Sequence, residues 1–495
     1  MLPTMPTLQS SDDCLRRPWR PDRALRRWCL LGIVFAAACP LLGATWYVDN
    51  RSGDDANDGL SLEKPLATIA RALQGARTSD TISLAKTGLV YREPIPLTRL
   101  GGTPAQPLTI EGNGATISGL RPLPPERWTK AGERYEIAGP KPYGFPYLVI
   151  DGRREPPAAD PEKLPPGGWS WTADAQDRGR GVLRFRPAEG RTLADHQLEA
   201  TLETSGLCVA SASYLVVRNL ISECHSNDGF NIHGDCRGIY CENIEARGNG
   251  DDGFSIHEAI EAVVRNGHFH HNGSGIEDVN LSRSLYSGLR VHDNGRLGVL
   301  FIGAFHSAVD AVVYGNPRNF SLASSETRHL IGGPLSPLSE TSVYLQNVIA
   351  WGGDFGVQAA GKCRVMIVNS VFSGSKTGID IRQDARLHLT KSVVACCADA
   401  ELCADGREFF GDYNVYFPGR FRVGANQFLP PQWEEFRKAV GHHEHSLLQD
   451  PKLTGAHALG PQSPRAIGNE TIGPTADCFG AQPATPGAAA QAIAP

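Results

Sequence analysis

An excess of positive charge is absent from this chain: 48 Lys and Arg stand against 53 Asp and Glu in 495 residues, a formal net charge of −5. That balance leaves no electrostatic footprint for nucleic acid as a partner. Helical periodicity is absent from the repeated units as well. Apolar stretches such as "YLVVRNLI", "VYLQNVIA" and "RVMIVNSV" alternate as strands do, which sets aside a helical bundle. Complete cysteine pairing is also missing, because three of twelve Cys (Cys14, Cys29, Cys39) precede residue 45 and an odd nine remain. An odd count argues against a full disulfide framework. Cys236 with Cys241, or Cys396, Cys397 and Cys403 among themselves, could form local bridges; small buried thiols are the other reading. Disorder is set aside by 41% hydrophobic residues against 20% charged ones. What the chain does have is turn formers, 54 Gly and 35 Pro.

The first 44 residues read as a targeting segment. Arg16, Arg17, Arg20, Arg23, Arg26 and Arg27 precede "WCLLGIVFAAACPLLGA", which is short for a membrane span and ends in small residues. This predicts export with cleavage near Ala44, to the medium, the periplasm or the cell surface, with no integral membrane domain once the leader is removed. A retained anchor, or a lipid on Cys39, is the alternative.

The phrase "SNDGFNIH" at 226 to 233 returns as "GDDGFSIH" at 250 to 257. Its glycine recurs at Gly229, Gly253, Gly275, Gly298, Gly356 and Gly378, at intervals of 24, 22, 23, 58 and 22. A second column, Asn219, Asn243, Asn266, Asn347 and Asn369, keeps the same period, and a third runs His225, Asn249, Asn272, Asn294 and Asn316. Short strands, tight turns and a circuit of 22 to 24 residues describe one coil of a parallel β-helix. The leucine-rich pattern of the same period is missing.

"WYVDNRSGDDANDGLSLEKPLATIARAL" with "SDTISLAKTGLVYRE" at residues 46 to 93, and "DYNVYFPG", "HSLLQDPKL" and "SPRAIG" near the end, resemble the opening and closing of secreted right-handed parallel β-helix proteins of the pectate-lyase-like superfamily. The resemblance implies an all-β, right-handed parallel β-helix solenoid, but not one activity, since the superfamily holds lyases, hydrolases, epimerases and binding proteins. The residues add detail. Leu66, Ile69, Ala70 and Leu73 make a helical stripe after Pro65, predicting an N-terminal capping helix over the first coils, residues 45 to 120. Residues 121 to 190 break the period and are rich in Pro, Trp and Tyr, predicting a β-rich inserted flap. Regular coils are expected over 191 to 420, with an insertion at about 316 to 340, and a C-terminal tail over 421 to 495. The "SGDDANDG" turn at 52 to 59 fails the EF-hand pattern at Ala56, and "GHHEH" at 441 to 445 reads as surface histidines.

Side chains alternate along a strand. If Phe230 and Ile232 point inward, Asn231 and His233 point outward, as do Ser255 and His257 one coil on and Glu277 on the third. Asp228, Asp251 and Asp252 enter this face and Glu258 leaves it. Three functions compete. A uronate lyase needs a base, for which His257 or His233 would serve, and a cation for the resulting anion. Asp228, Asp251, Asp252 and Glu277 would bind that cation as calcium. Lyases of the superfamily more often use Lys or Arg as base, and neither stands in this sequence cluster. A hydrolase is the second reading, because the paired rungs look like the acidic rungs of polygalacturonase-type enzymes, with Asp228 and either Asp251 or Asp252 as acid and base across a water. The Gly-His-Gly and Arg-x-Lys of those enzymes are missing. The third is a non-catalytic glycan-binding or surface rod, whose Asp-Gly pairs are turn chemistry. In each, a polysaccharide is the partner of a monomer, with Asn231, Ser255, Glu258, Arg382, Trp169 and Trp171 as further binding residues; Tyr143, Tyr147 and Trp128 join the aromatic candidates.

Overall fold

The computed structural model describes residues 43–324, 340–405, 408–455 and 457–474. The leader with Cys39 and the end of the C-terminal tail lie outside the described residues. Two long sheets of parallel strands run the length of a β-helix. The in-register column Ile95, Leu207, Phe230, Phe254, Ile276, Val299, Phe320, Val357, Ile379, Leu402 and Phe421 shows why the sequence stacks as it does. Each member is buried, so every coil places one apolar side chain on the one below and the core is continuous.

The three sequence columns serve three different needs. Asn219, Asn243, Asn266, Asn347 and Asn369 all have φ between 51° and 54°, the left-handed corner that asparagine tolerates better than most residues. The third column is an internal ladder: Asn249, Asn272 and Asn294 each donate from Nδ2 to the amide oxygen of the next coil, at 2.9, 3.2 and 2.9 Å. The glycine column leaves room for close approach, since a Cβ on Gly253 would stand 2.7 Å from the Gly275 carbonyl oxygen. The long interval between Gly298 and Gly356 contains a further coil. Strand Arg318–Ala323 continues the ladder with Asn319 in the glycine's place, so the rung runs on into the stretch expected to be an insertion. Residues 325–339 of that insertion lie outside the described residues.

Both ends of the described ladder are covered. Helix Ile69–Gly75 packs Ile69 and Ala72 into the core, where Ala72 takes the place expected of Ala70. Asp55 and Glu93 accept the N–H groups of residues 67 to 70 that open it. Asp54, Asp55 and Asp58 of "SGDDANDG" are therefore all engaged by backbone amides. At the other end strand Asn426–Phe428 turns antiparallel against Phe421–Val423, and Phe436 of helix Trp433–Val440 stacks on Phe421 at 4.0 Å. His443 of "GHHEH" is buried against Tyr416, Trp433 and Phe436, which corrects its reading as a surface residue. Cys236, Cys241, Cys396, Cys397 and Cys403 are free thiols, so neither local bridge forms.

Strands Ile95–Thr98 and Leu207–Ala210 pair directly. The chain between them includes two antiparallel four-stranded sheets, whose strands run from Leu120–Pro122 to Leu198–Thr201, wider than 121 to 190 because the last strand closes the second sheet. They share their own core of Trp128, Leu148, Trp169, Leu183 and Phe185.

Candidate active site

The repeated phrase folds into neighbouring strands of one long sheet, Phe230–His233, Asp252–Ile256 and Ser274–Asp278. Register places Asn231 beside Ser255 and Ser255 beside Glu277. With the antiparallel segment these strands line a cleft of about 520 Å³, whose walls include Asp228, Asn231, His233, Asp251, Asp252, His257 and Glu277. Tyr143 lines it too and is 76% exposed; Phe145 is 53% exposed, and its backbone N–H reaches the Ser226 carbonyl at 2.6 Å.

Two groups of polar side chains stand at the two ends of the strands. At the entering end Asp228, Asp251 and Asp252 bring carboxylate oxygens within 4.8 Å of one another. Asp228 and Asp252 are each only 2% exposed. Burial raises the Asp252 carboxyl well above its ordinary range, and Glu277 and Asp228 add to the shift by repulsion. Asp228 is raised likewise, first by burial, with Asp251 and Glu277 as nearby charges. Arg296, two coils on, reaches back into this group. It pairs with Asp251, lies 3.4 Å from Asp252, and sits 5.2 Å over the Phe145 ring. Its guanidinium is held more firmly protonated, burial being outweighed by Asp251.

At the leaving end the rings of His233 and His257 stack at 4.4 Å and 3°. Ser255 Oγ meets His257 Nε2 at 2.7 Å, and Glu258 Oε2 accepts the Gly234 N–H at 2.8 Å while lying 3.4 Å from His233 Nδ1. Burial, then the His233 charge, lowers His257 to about 4, so it is a neutral imidazole at pH 7. Burial opposes ionisation of Glu258, yet His233 and the Gly234 N–H keep its carboxyl below the ordinary value. Asn227 Oδ1, Asn231 Oδ1 and His233 Nδ1 are buried without a hydrogen-bond partner in the protein. Polar atoms left so in a cleft wall are suited to a ligand or to water.

The structure corrects several expectations. Along the chain His257 lies five residues beyond Asp252, so the acids stand at the entering end of the strands and the imidazoles at the leaving end of one cleft. Ser255 is fully buried, so it supports His257 and presents no free surface to a ligand. Trp169 is 1% exposed in the core of the antiparallel sheets, its indole N–H donated to the Glu155 carbonyl, and cannot stack on a sugar. Trp171 packs half-buried against the same core, Trp128 is buried in it, and the buried Tyr147 donates its hydroxyl to the Gly248 carbonyl. Arg382 stands five strands beyond His257, about 24 Å away, and pairs with Asp380 at 2.7 Å. Finally, an arginine does stand in the acid group. Arg296 lies outside the repeated phrase, and its only sequence signal is its place just before the strand that carries Gly298.

No family model matches the chain, and no curated protein matches it. Among solved structures it is similar to the complex of XylC with xylose, at 12% identity over 83% of this chain and 87% of that one, with a TM-score of 0.56. It is also similar to pectate lyase Pel9A, at 11% identity over 72% and 77% of the two chains and a TM-score of 0.45. A rhamnogalacturonan lyase matches at 10% identity over 82% and 85%, with a TM-score of 0.40. At such identities the likeness is one of fold alone, the parallel β-helix.

Proposed function

We propose that the cleft acts on a uronate-containing polysaccharide as a lyase, with the acid group as its reaction centre and the histidine pair as a neighbouring sugar site. The observation that carries this reading is Arg296 beside Asp251 and Asp252, a fixed cation next to the Asp252 carboxyl, whose pKa burial raises. In β-elimination the proton beside the uronate carboxylate passes to a base, its electron pair forms a carbon–carbon double bond, and the bond to the leaving oxygen breaks. Negative charge develops on the substrate carboxylate, where a preorganised cation lowers the barrier. Arg296 supplies that cation. The Asp228 and Asp252 pair, unable to lose both protons cheaply, supplies one ionised carboxylate to accept the substrate proton and one carboxylic acid to protonate the leaving oxygen.

Asp228, Asp251 and Asp252, with Glu277 adjoining, fit a calcium ion, because ligand oxygens within 4.8 Å of one another suit Ca–O distances of about 2.4 Å. When bound, that ion would add to the neutralisation of the substrate carboxylate. His257 and His233 would hold the next sugar, with Asn231 offering its unpartnered oxygen and Tyr143 a flat face.

A hydrolase remains the second reading, since a protonated carboxyl beside an ionised one is also the glycosidase pair. The test is incubation with acidic and neutral polysaccharides, following ultraviolet absorbance and new reducing ends. The lyase reading expects both to rise on a uronate chain. Reducing ends without absorbance would establish hydrolysis, and silence across the panel would leave a binding rod. Export of the mature chain to the medium, periplasm or cell surface fits a polymeric substrate and is part of the proposal.

A further inference from the structure

The other long sheet carries a second cluster. Strand His268–His270 and strand Arg283–His292 lie side by side with His270 opposite His292, and His268 shares the outward face two residues away because Phe269 points into the core. One nitrogen from each of His268, His270 and His292 falls within a common span of 4.8 Å. His268 Nε2 lies 2.8 Å from His292 Nε2, and Glu245 Oε1, one coil before, lies 3.2 Å from His270 Nε2. His268 and Glu245 also border a shallow hollow of about 590 Å³ on this face.

The partners of the outer nitrogens set the tautomers. His292 Nδ1 faces Asp293 Oδ2 at 2.8 Å and must donate to it, which leaves Nε2 with its lone pair toward the cluster. His270 Nδ1 meets His271 Nδ1 at 2.7 Å; when it donates there, its Nε2 lone pair faces the Glu245 carboxylate. The His268 Nε2–H can donate to the His292 Nε2 lone pair, and a metal ion can take the place of that hydrogen, because the imidazole nitrogens and the Glu245 carboxylate stand together on this face.

We propose that His268, His270 and His292 bind a divalent transition metal of the zinc class, with Glu245 or solvent completing a tetrahedron and Asp293 orienting His292 from behind. Three imidazoles from two adjacent strands match the nitrogen-rich set such ions prefer. A tetrahedral ion with metal–nitrogen bonds of about 2.05 Å holds its ligand atoms about 3.3 Å apart, so the 2.8 Å pair needs to open only slightly. The carboxylate behind an imidazole is the usual second partner of a metal-bound histidine. The site is on the opposite sheet from the acid cleft and does not depend on the activity proposed there.

The test is titration of the untagged full chain with Zn²⁺ by calorimetry and with Co²⁺ by visible absorption. We expect saturation at one ion per chain with tetrahedral Co²⁺ bands. His268→Ala and His292→Ala should each weaken binding at least 100-fold, and Asp293→Asn about 10-fold, with unchanged far-ultraviolet dichroism. Wild-type affinity in His292→Ala, or no saturable binding by the wild type, would overturn the proposal. So would binding that persists in His292→Ala and disappears in Asp251→Asn, which would place the metal in the acid cleft.

Discussion

The acid group in the cleft and the imidazole cluster on the opposite sheet arise from one physical cause and differ in one respect. In a parallel stack each side chain stands on its counterpart one coil away, at strand spacing of about 4.8 Å. Asparagines profit from this, because each is both donor and acceptor. Acids and imidazoles do not, because stacking crowds groups of like charge or like lone pair. In the cleft the crowding is relieved within the chain, by Arg296 and by the raised pKa values of Asp228 and Asp252, which let the pair keep a proton. On the opposite sheet no arginine among the described residues hydrogen-bonds to the three imidazoles, although Arg247 pairs with Glu245. On the proposals made above, the first arrangement would serve proton transfer beside a fixed cation, and the second the capture of an ion.

The comparison breaks most visibly at Asp252. Asp252→Asn should lower turnover at least 1,000-fold with little change in fold, measured as the initial rate of unsaturated product. Arg296→Ala should come next, with a loss of about 100-fold or more that Arg296→Lys restores only in part, since a lysine ammonium lacks the planar guanidinium that lies over Phe145 while Nη2 meets Asp251 and Asp252. A smaller effect is expected from His257→Ala: about a 10-fold rise in KM with kcat retained, as suits a group that holds an adjacent sugar. Collapse of kcat in that variant would move the chemistry to the histidine end of the cleft.

Stability sharpens the contrast through pH. The folded state raises the Asp228 pKa above its unfolded value, so it retains a proton that the unfolded chain releases, and stability is lost as pH rises through that raised pKa. Asp228→Asn removes this penalty. Its amide oxygen can still accept the Asp252 N–H, now at 3.0 Å, and Asn227, whose Oδ1 has no partner, can turn to meet the new amide. Thermal unfolding at neutral pH should rise by about 2 °C while activity falls. His257 has the opposite sign. Its folded pKa of about 4 lies below the unfolded 6.5, so its share of stability is present above pH 6.5 and is lost as pH falls toward 4. His257→Gln should flatten that acid limb in melting curves recorded across the interval.

How much of this was legible in the sequence depends on whether a residue repeats. The Gly, Asn and internal Asn columns have three structural reasons, a close approach, a left-handed corner and a hydrogen-bonded ladder, and all three recur with the coil. Periodicity therefore exposed the stack and the acidic rungs that interrupt its ordinary turns. Arg296 and the imidazole cluster escaped because they join residues from different columns, which only the register of the coils brings together. Trp169 misled for a related reason: composition marks a segment as aromatic but does not say which ring fills its core, and the exposed rings are Tyr143 and Phe145.

The most direct measurement is the initial rate of ultraviolet absorbance on a uronate polysaccharide, for the wild type and Asp252→Asn side by side, with and without a calcium chelator. The account predicts a steady rise for the wild type that Asp252→Asn abolishes at every calcium level. Equal rates in the two proteins would contradict it, because the acid group would then have no part in the reaction.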